Sequence, residues 1–385
     1  MDNTFIPLSV PNFGGNEKQY VNDAVISEWV STGGSLVTDF EAKLAQYVHM
    51  PRAVACNSGT SGLHLACMAA DIGSGDEVIV PSLTFIAAVN PVRYSFAQPV
   101  FIGCDDSLCM CPEAAEAFCR DNCEMRDNKL YNKKSGAHVK AILVVHVFGN
   151  MADMPAFLRI AKQYHLTLIE DATEALGTYY TNGELKGKMA GTIGDIGVYS
   201  FNGNKIITTG AGGMVVSHHD DYAQHAKHLS TQAKSDELQF FHDEVGYNYR
   251  LTNLQAALGL AQLEQLDGFI SHKIARYEQY KAALDGVNGY KILGFRDDVR
   301  SNHWFYSLLI PNGNKRDEYI ASLRSMNIQV RPVWALINEQ ADYGRNEAYS
   351  LDKAQYYRAH IINLPCSTNL SEQDAQRVIK AVLSL

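Results

Sequence analysis

The residue with the clearest chemical potential is Lys205, which follows a β-prone run ending at Ser200 and precedes a glycine-rich turn at 210–213. A lysine amine at a glycine-rich strand end can form a Schiff base with an aldehyde cofactor, and a nearby serine can bind a phosphate group. The alternative is a surface lysine in a hairpin loop, which is the better interpretation of a lone lysine. Three other stretches supply what such a cofactor needs and favour the chemical interpretation.

The stretch 53–66 predicts a place for a phosphate group. A short apolar strand runs into a turn of small residues, and this turn opens a helix. The free amides of Gly59, Thr60 and Ser61 would lie at the helix N-terminus, which attracts anions. The turn has neither the Gly-Lys-Ser/Thr end of a Walker loop nor the glycine pattern of a dinucleotide site. An ordinary capped helix start is the alternative.

Two further side chains would suit a flat, protonated ring. Asp171 ends a predicted strand at 166–171, and its carboxylate could pair with a ring nitrogen; a helix N-cap is the alternative role. Phe85 lies where a strand end meets a helix and could stack on a ring, although such a phenylalanine is more often part of the core.

The elements that must position these residues are strands that alternate with helices. This alternation predicts an α/β domain with a mostly parallel sheet that is covered on both faces. Ligands bind such sheets beyond the carboxyl ends of the strands, which is where Asp171 is placed. From about residue 260 the pattern changes to helices and short strands. We therefore expect a large domain over 1–259, with its N-terminal segment packing near a smaller C-terminal domain over 260–385.

The composition narrows the classes of function. The chain has 385 residues, of which 46% are hydrophobic, and its net charge of −9 argues against a non-specific nucleic-acid binder. No apolar run of membrane-spanning length and no secretion signal is found, so a cytoplasmic protein without membrane contact is expected. Five of the eight cysteines cluster between 104 and 123 without metal-binding spacing, so we expect reduced thiols and assign no metal site.

Four stretches that carry this chemistry occur in one order along the chain: 58–61, 170–174, 200–205 and 246–250. Together they resemble the pyridoxal-phosphate-dependent nucleotide-sugar aminotransferases of the DegT/DnrJ/EryC1/StrS family. The resemblance covers nearly the whole chain and extends to 80–85, 146–154 and 363–365. It implies the aspartate-aminotransferase fold, known as fold type I of pyridoxal-phosphate enzymes. In that fold a large α/β domain with a mostly parallel mixed sheet is joined to a smaller C-terminal α+β domain.

The resemblance also implies roles for the residues around the cofactor ring. Lys205 would form the Schiff base, and Asp171 would hold the pyridine nitrogen protonated. Glu174 would face the ring hydroxyl, where many members have Gln or His, and Phe85 would stack on the ring. One departure is Ala211, which stands where many members have Glu.

A second group of residues is implied to hold the cofactor phosphate. Gly59, Thr60 and Ser200 would bind it within one subunit. Asn248 would reach the phosphate of the neighbouring subunit's cofactor, which would make a homodimer the working unit.

The family chemistry implies that L-glutamate donates its amino group to a keto-sugar and leaves as 2-oxoglutarate. Lysine at position 205 favours this transamination over the dehydration carried out by members with His there. The chain looks most similar to the branch that acts on UDP-2-acetamido-2,6-dideoxy-hexos-4-ulose for bacillosamine or legionaminic acid. An enzyme for a GDP-perosamine precursor or a dTDP-keto-sugar is the alternative, and a cofactor-binding regulatory protein without turnover is the alternative of another class.

Three residues are predicted to contact the diphosphate or the sugar of such a substrate, although surface or structural roles are equally good interpretations of each. They are Lys188, His303 and Arg331.

Overall fold

The structure is a computed structural model that describes residues 4–236 and 238–385. Its strands are β1 Ala53–Cys56, β2 Asp76–Pro81, β3 Gln98–Ile102, β4 Cys123–Arg126, β5 Lys129–Asn132, β6 His138–Val145, β7 Thr167–Asp171, β8 Tyr179–Tyr180, β9 Ile196–Ser200, β10 Gly213–Val216, β11 Lys234–Asp236, β12 Phe241–His242, β13 Lys291–Ile292, β14 Val299–Arg300, β15 Tyr306–Leu309, β16 Arg331–Pro332, β17 Ala348–Tyr349 and β18 Ile361–Leu364. Its α-helices are α1 Glu17–Ile26, α2 Ser35–Tyr47, α3 Gly59–Ala69, α4 Asn90–Tyr94, α5 Pro112–Ala117, α6 Met154–Tyr164, α7 Asp220–Ser230, α8 Asn253–Leu263, α9 Leu266–Leu284, α10 Arg316–Ser325, α11 Asp352–His360 and α12 Glu372–Leu383.

The main sheet has the order β1-β10-β9-β7-β6-β2-β3-β17, and the hairpin β4–β5 is attached to it through β6. The pairs from β9 through β17 are parallel, whereas β10 is antiparallel to both of its neighbours. Strand β6 is apolar along most of its length, and most residues of β6 and β7 are buried, as expected for a sheet that is covered on both faces. The predicted α/β fold with a mostly parallel mixed sheet is therefore confirmed.

The C-terminal part of the chain builds a second, antiparallel sheet in the order β13-β15-β18-β16. Ser371 caps helix α12, because its hydroxyl accepts a hydrogen bond from the Asp374 amide, and the helix buries Val378, Ile379 and Val382. This three-and-four spacing places the apolar side chains on one helix face.

Three connections link the two parts of the chain. Ile6 exchanges backbone hydrogen bonds with Asn327 and Gln329. Helix α8 crosses position 260 and packs against α1 and α2. Strand β17 joins the main sheet beside β3. A division between 259 and 260 would thus cut a continuous helix.

None of the described helices is long and apolar enough to cross a membrane.

Candidate active site

A cavity of about 360 Å³ opens where the carboxyl ends of β7 and β9 meet the N-terminus of α3. Asp171 is the last residue of β7, and Ser200 is the last residue of β9. The C-terminal part of the chain contributes the aromatic side chains Trp304, Phe305 and Trp334 to the wall. The cavity therefore lies at the sheet edge where ligands of parallel sheets bind, between the two parts of the chain.

The N-terminus of α3 forms one end of the cavity. Ser58 caps the helix, because its hydroxyl accepts a hydrogen bond from the Ser61 amide at 3.0 Å. A Cβ atom at Gly59 would lie 2.8 Å from the Cβ of Ser200 and 3.1 Å from its hydroxyl oxygen. Only glycine permits this approach, which brings the Ser200 hydroxyl beside the first free amides of the helix. Together these groups form a cradle suited to a phosphate group.

Lys205 lies at the cavity wall, with its side chain only 12% exposed. Its amide donates a hydrogen bond to the Asn202 carbonyl oxygen at 3.0 Å, which closes the turn after β9. The indole N–H of Trp304 donates to the Asn204 carbonyl oxygen at 2.8 Å, and the Lys205 Nζ lies 4.3 Å from the centroid of the Trp304 ring system. The turn and the indole together fix where the amine lies.

Two buried carboxyl groups face this amine. Glu174 Oε1 is 3.8 Å from Lys205 Nζ, and Glu174 Oε2 accepts the Phe148 amide proton at 2.8 Å. Burial raises the pKa of Glu174 to about 7, against the opposing effects of Lys205 and the Phe148 amide. Burial also raises the pKa of Asp171, against the hydrogen bonds from Thr173 and the charge of Lys205. Desolvation thus brings both carboxyls closer to the neutral form than they would be in water.

Behind Asp171 lies a buried pair that our sequence analysis did not single out. Glu170 accepts a hydrogen bond from His146 Nε2 at 2.8 Å and three more from the amides of Gly191, Ile193 and Gly194. His146 Nδ1 accepts the Ala152 amide proton, so the ring proton is on Nε2. Glu170 therefore anchors the loop that leads into β9. The detectable signal was a second acidic residue directly before Asp171 in the same predicted strand.

An aromatic wall borders the cavity, where Phe85 and Trp334 line it and Phe148 packs against Trp334. Phe148 adopts φ +56° and packs 4.8 Å from Trp334, measured between ring centroids. A positive φ is unfavourable for a phenylalanine, and here it accompanies the amide hydrogen bond to Glu174. Phe85 is 53% exposed, and its ring lies 6.3 Å from that of Trp334. Phe85 is therefore exposed at the cavity wall, where a ligand can contact it, and it is not the core residue that the sequence offered as the alternative.

The structure brings seven predicted cofactor residues around one cavity: Gly59, Thr60, Phe85, Asp171, Glu174, Ser200 and Lys205. An amine, a buried acid beyond a strand end, an exposed aromatic ring and a phosphate cradle are the groups that pyridoxal phosphate requires. The cavity residues fit this cofactor. Among the described residues lining the cavity, Lys205 is the only one with a cationic side chain.

Four predicted residues do not line this cavity. Asn248, Lys188 and Arg331 are exposed elsewhere on the surface. His303 is buried, and its Nδ1 lies 3.0 Å from the Ser301 carbonyl oxygen. Burial lowers the pKa of His303 to about 4. Within one chain these residues do not reach the cavity, so their roles stay predictions.

Comparison with known proteins agrees with the family resemblance found in the sequence. The model of the DegT/DnrJ/EryC1/StrS aminotransferase family matches residues 11–383. The chain is 35% identical to EpsN of Bacillus subtilis (strain 168), covering 99% of this chain and 95% of EpsN. It is 36% identical to the GDP-perosamine synthase of Escherichia coli O157:H7, covering 98% of each.

A solved structure shares the fold as well. The aminotransferase TlmJ from Streptoalloteichus hindustanus superposes with a TM-score of 0.88 at 25% identity, covering 99% of this chain and 98% of TlmJ. The matching family spans nearly the whole chain, and its members depend on pyridoxal phosphate. This chain therefore belongs to the DegT/DnrJ/EryC1/StrS aminotransferase family and is a pyridoxal-phosphate-dependent sugar aminotransferase.

Proposed function

We propose that this enzyme transfers the amino group of L-glutamate to a nucleotide-linked 4-keto-6-deoxy sugar. The observation that carries the proposal is the convergence of the Lys205 amine, the buried carboxyls of Asp171 and Glu174 and the α3 phosphate cradle on one cavity. Bound pyridoxal phosphate supplies an electron sink for the carbon that loses or gains the amino group. The protein must orient the reactants, exclude water and move protons.

Lys205 has two tasks in this proposal. Its amine anchors the cofactor, and after the amino donor has displaced it, the free amine moves a proton at the α-carbon of glutamate. The Trp304 indole, 4.3 Å from Nζ, keeps the amine at the cavity wall during both tasks. The low exposure of the Lys205 side chain also limits water around the amine.

Asp171 and Glu174 act on opposite parts of the cofactor ring. The Asp171 carboxylate, which accepts the Thr173 amide proton at 3.0 Å, would keep the ring nitrogen protonated. Glu174 would hydrogen-bond the ring hydroxyl, and its pKa near 7 allows it to donate this bond as an acid or to accept it as a carboxylate.

A homodimer is the proposed working unit. Asn248 does not line the cavity of its own chain, as expected if it reaches the cofactor phosphate of the other subunit. Large apolar side chains are exposed on the segment that leads to Asn248, at Leu238, Phe240, Phe241 and Val245. Contiguous exposed apolar surface is typical of contact sites between proteins, and a second copy of the chain would cover it.

Two nucleotide-sugar substrates are proposed, and different observations favour them. The sequence motifs favour UDP-2-acetamido-2,6-dideoxy-hexos-4-ulose. Sequence identity of 36% to the GDP-perosamine synthases of two bacteria, Escherichia coli O157:H7 and Caulobacter vibrioides, favours GDP-4-keto-6-deoxymannose. Both sugars present a ketone at C4, so the chemistry at Lys205 would be the same.

The test is a panel of UDP-, GDP- and dTDP-linked 4-keto-6-deoxy sugars with L-glutamate, with 2-oxoglutarate and the aminated sugar as readouts. We expect one nucleotide class to give turnover, and a Lys205→Ala variant with intact folding to give none. Cofactor binding without 2-oxoglutarate formation from any member of the panel would instead indicate a regulatory protein.

A further inference from the structure

Four metal-ligating side chains meet on the surface formed by α7 and the hairpin β11–β12, outside the cavity. Two are imidazoles on one face of α7, three residues apart, and two are carboxylates directly after β12. We call them the α7 cluster; they are His225, His228, Asp243 and Glu244.

The ligand atoms of His228, Asp243 and Glu244 lie close together, and His225 contacts Glu244 beside them. His228 Nε2 lies 2.6 Å from an Asp243 oxygen and 3.8 Å from Glu244 Oε1, and these three groups all offer atoms within 4.8 Å of one another. His225 Nε2 lies 2.9 Å from the same Glu244 oxygen. Zinc bonds of about 2.0–2.2 Å place neighbouring tetrahedral ligand atoms about 3.3–3.6 Å apart. The His228–Asp243 and His228–Glu244 separations of 2.6 and 3.8 Å bracket this range, so small movements of these three side chains would admit an ion.

The charges of the cluster suit a divalent cation. Asp243 and Glu244 each offer carboxylate oxygens to a cation. Two carboxylates and two imidazoles form a mixed oxygen and nitrogen ligand set, which is typical of zinc and related transition metals. In the single chain the four side chains are 29–57% exposed.

We propose that the α7 cluster is a binding site for a divalent transition-metal ion of the zinc type. The ion would clamp the hairpin onto α7. Ala233, directly before the hairpin, already donates a hydrogen bond from its amide to the His228 carbonyl oxygen at 2.9 Å. The same end of α7 holds the segment 247–249, because the Leu229 and Ser230 carbonyl oxygens accept the amides of Tyr247 and Tyr249. A bound ion would therefore also rigidify the segment that carries Asn248.

The test uses the cofactor-loaded enzyme after metal removal with EDTA and dialysis, titrated with Zn²⁺ in a calorimeter. We expect about one Zn²⁺ per chain with a dissociation constant below about 10 µM, and a rise of the melting temperature by about 5 °C at saturating metal. His228→Ala and Glu244→Gln should each weaken binding at least tenfold and abolish the thermal shift.

Two control variants separate this site from others. His219→Ala removes a histidine that pairs with Asp195 at 3.3 Å beside the same helix, without a second carboxylate. Cys111→Ser removes the only one of the eight cysteines that is not fully buried. Both controls should bind Zn²⁺ like the unaltered protein. The proposal would be overturned by absence of saturable binding, by unchanged binding in His228→Ala and Glu244→Gln, or by its loss in Cys111→Ser. The metal-free melting temperature of each variant checks its folding.

Discussion

The Nζ atom of Lys205 lies 3.8 Å from Oε1 of Glu174, and both side chains are almost completely enclosed at the wall of the cavity. The amine and the acid come from different sheet connections, the turn after β9 and the loop after β7. The residue that we propose to anchor the cofactor therefore lies next to a carboxyl group whose pKa is about 7, so that it can change its protonation state near neutral pH. Chemistry at Lys205 and the charge of Glu174 are therefore expected to be coupled.

The first prediction concerns the pH dependence of stability. Because the folded-state pKa of Glu174, about 7, is raised above its ordinary value of 4.5, the folded protein binds this proton more tightly than the unfolded chain does. The contribution of Glu174 to the free energy of unfolding therefore falls progressively as the pH rises from about 4.5 to 7. Glu174→Gln should remove this cost, so its stability relative to the unaltered protein should increase by up to about 3 kcal/mol between pH 5 and pH 8.

Urea denaturation of the cofactor-free protein at both pH values measures this difference. Glu116→Gln, at an exposed position on α5, serves as the control and should show no such change. A Glu174→Gln variant with the same pH dependence as the unaltered protein would contradict the raised pKa.

The second prediction concerns the phosphate cradle. Gly59→Ala would place a Cβ atom 2.8 Å from the Ser200 Cβ atom, so the start of α3 or the end of β9 must shift. We expect the affinity for pyridoxal phosphate to fall at least tenfold, measured by fluorescence titration of the cofactor-free protein. Gly268→Ala is the matched control, since this glycine also lies in the first turn of a helix and its Cβ would meet no atom within 4 Å. Equal affinities of the two variants would exclude the cradle as the phosphate site.

The third prediction concerns the buried Glu170. Glu170→Ala leaves four hydrogen-bond donors without their acceptor, namely His146 Nε2 and the amides of Gly191, Ile193 and Gly194. The free energy of unfolding should fall by about 2–4 kcal/mol, because buried donors without partners are costly. Chemical denaturation measures this change, with Glu116→Ala as an exposed control. A loss below about 0.5 kcal/mol would show that the loop does not depend on Glu170.

The sequence predicts the cavity residues contributed by the main sheet better than the aromatic residues contributed by the C-terminal part of the chain, for a physical reason. Gly59, Asp171 and Ser200 lie at a helix start and two strand ends, and Lys205 lies in the turn after β9. The topology of the mostly parallel sheet brings these places to a common edge. Local patterns mark these ends, so the residues could be named together before the structure was known.

The aromatic wall could not be predicted in the same way. Trp304 and Trp334 follow Lys205 by about a hundred residues or more and belong to the other part of the chain, so no local pattern relates them to the amine. His303 illustrates the converse difficulty. Its contact with the substrate stays a prediction, and within one chain its ring packs against Tyr277 and Phe295. Which of two adjacent side chains turns toward a cavity depends on tertiary packing.

The most direct test of the account is to locate the lysine that binds the cofactor. Borohydride reduction of the protein loaded with pyridoxal phosphate, followed by proteolysis and mass spectrometry, should find the pyridoxyl group on the peptide containing Lys205. The modification should disappear in Lys205→Ala and persist in Lys188→Ala, which changes an exposed lysine outside the cavity. A pyridoxyl group on another lysine, or none on any peptide, would contradict the assignment of Lys205.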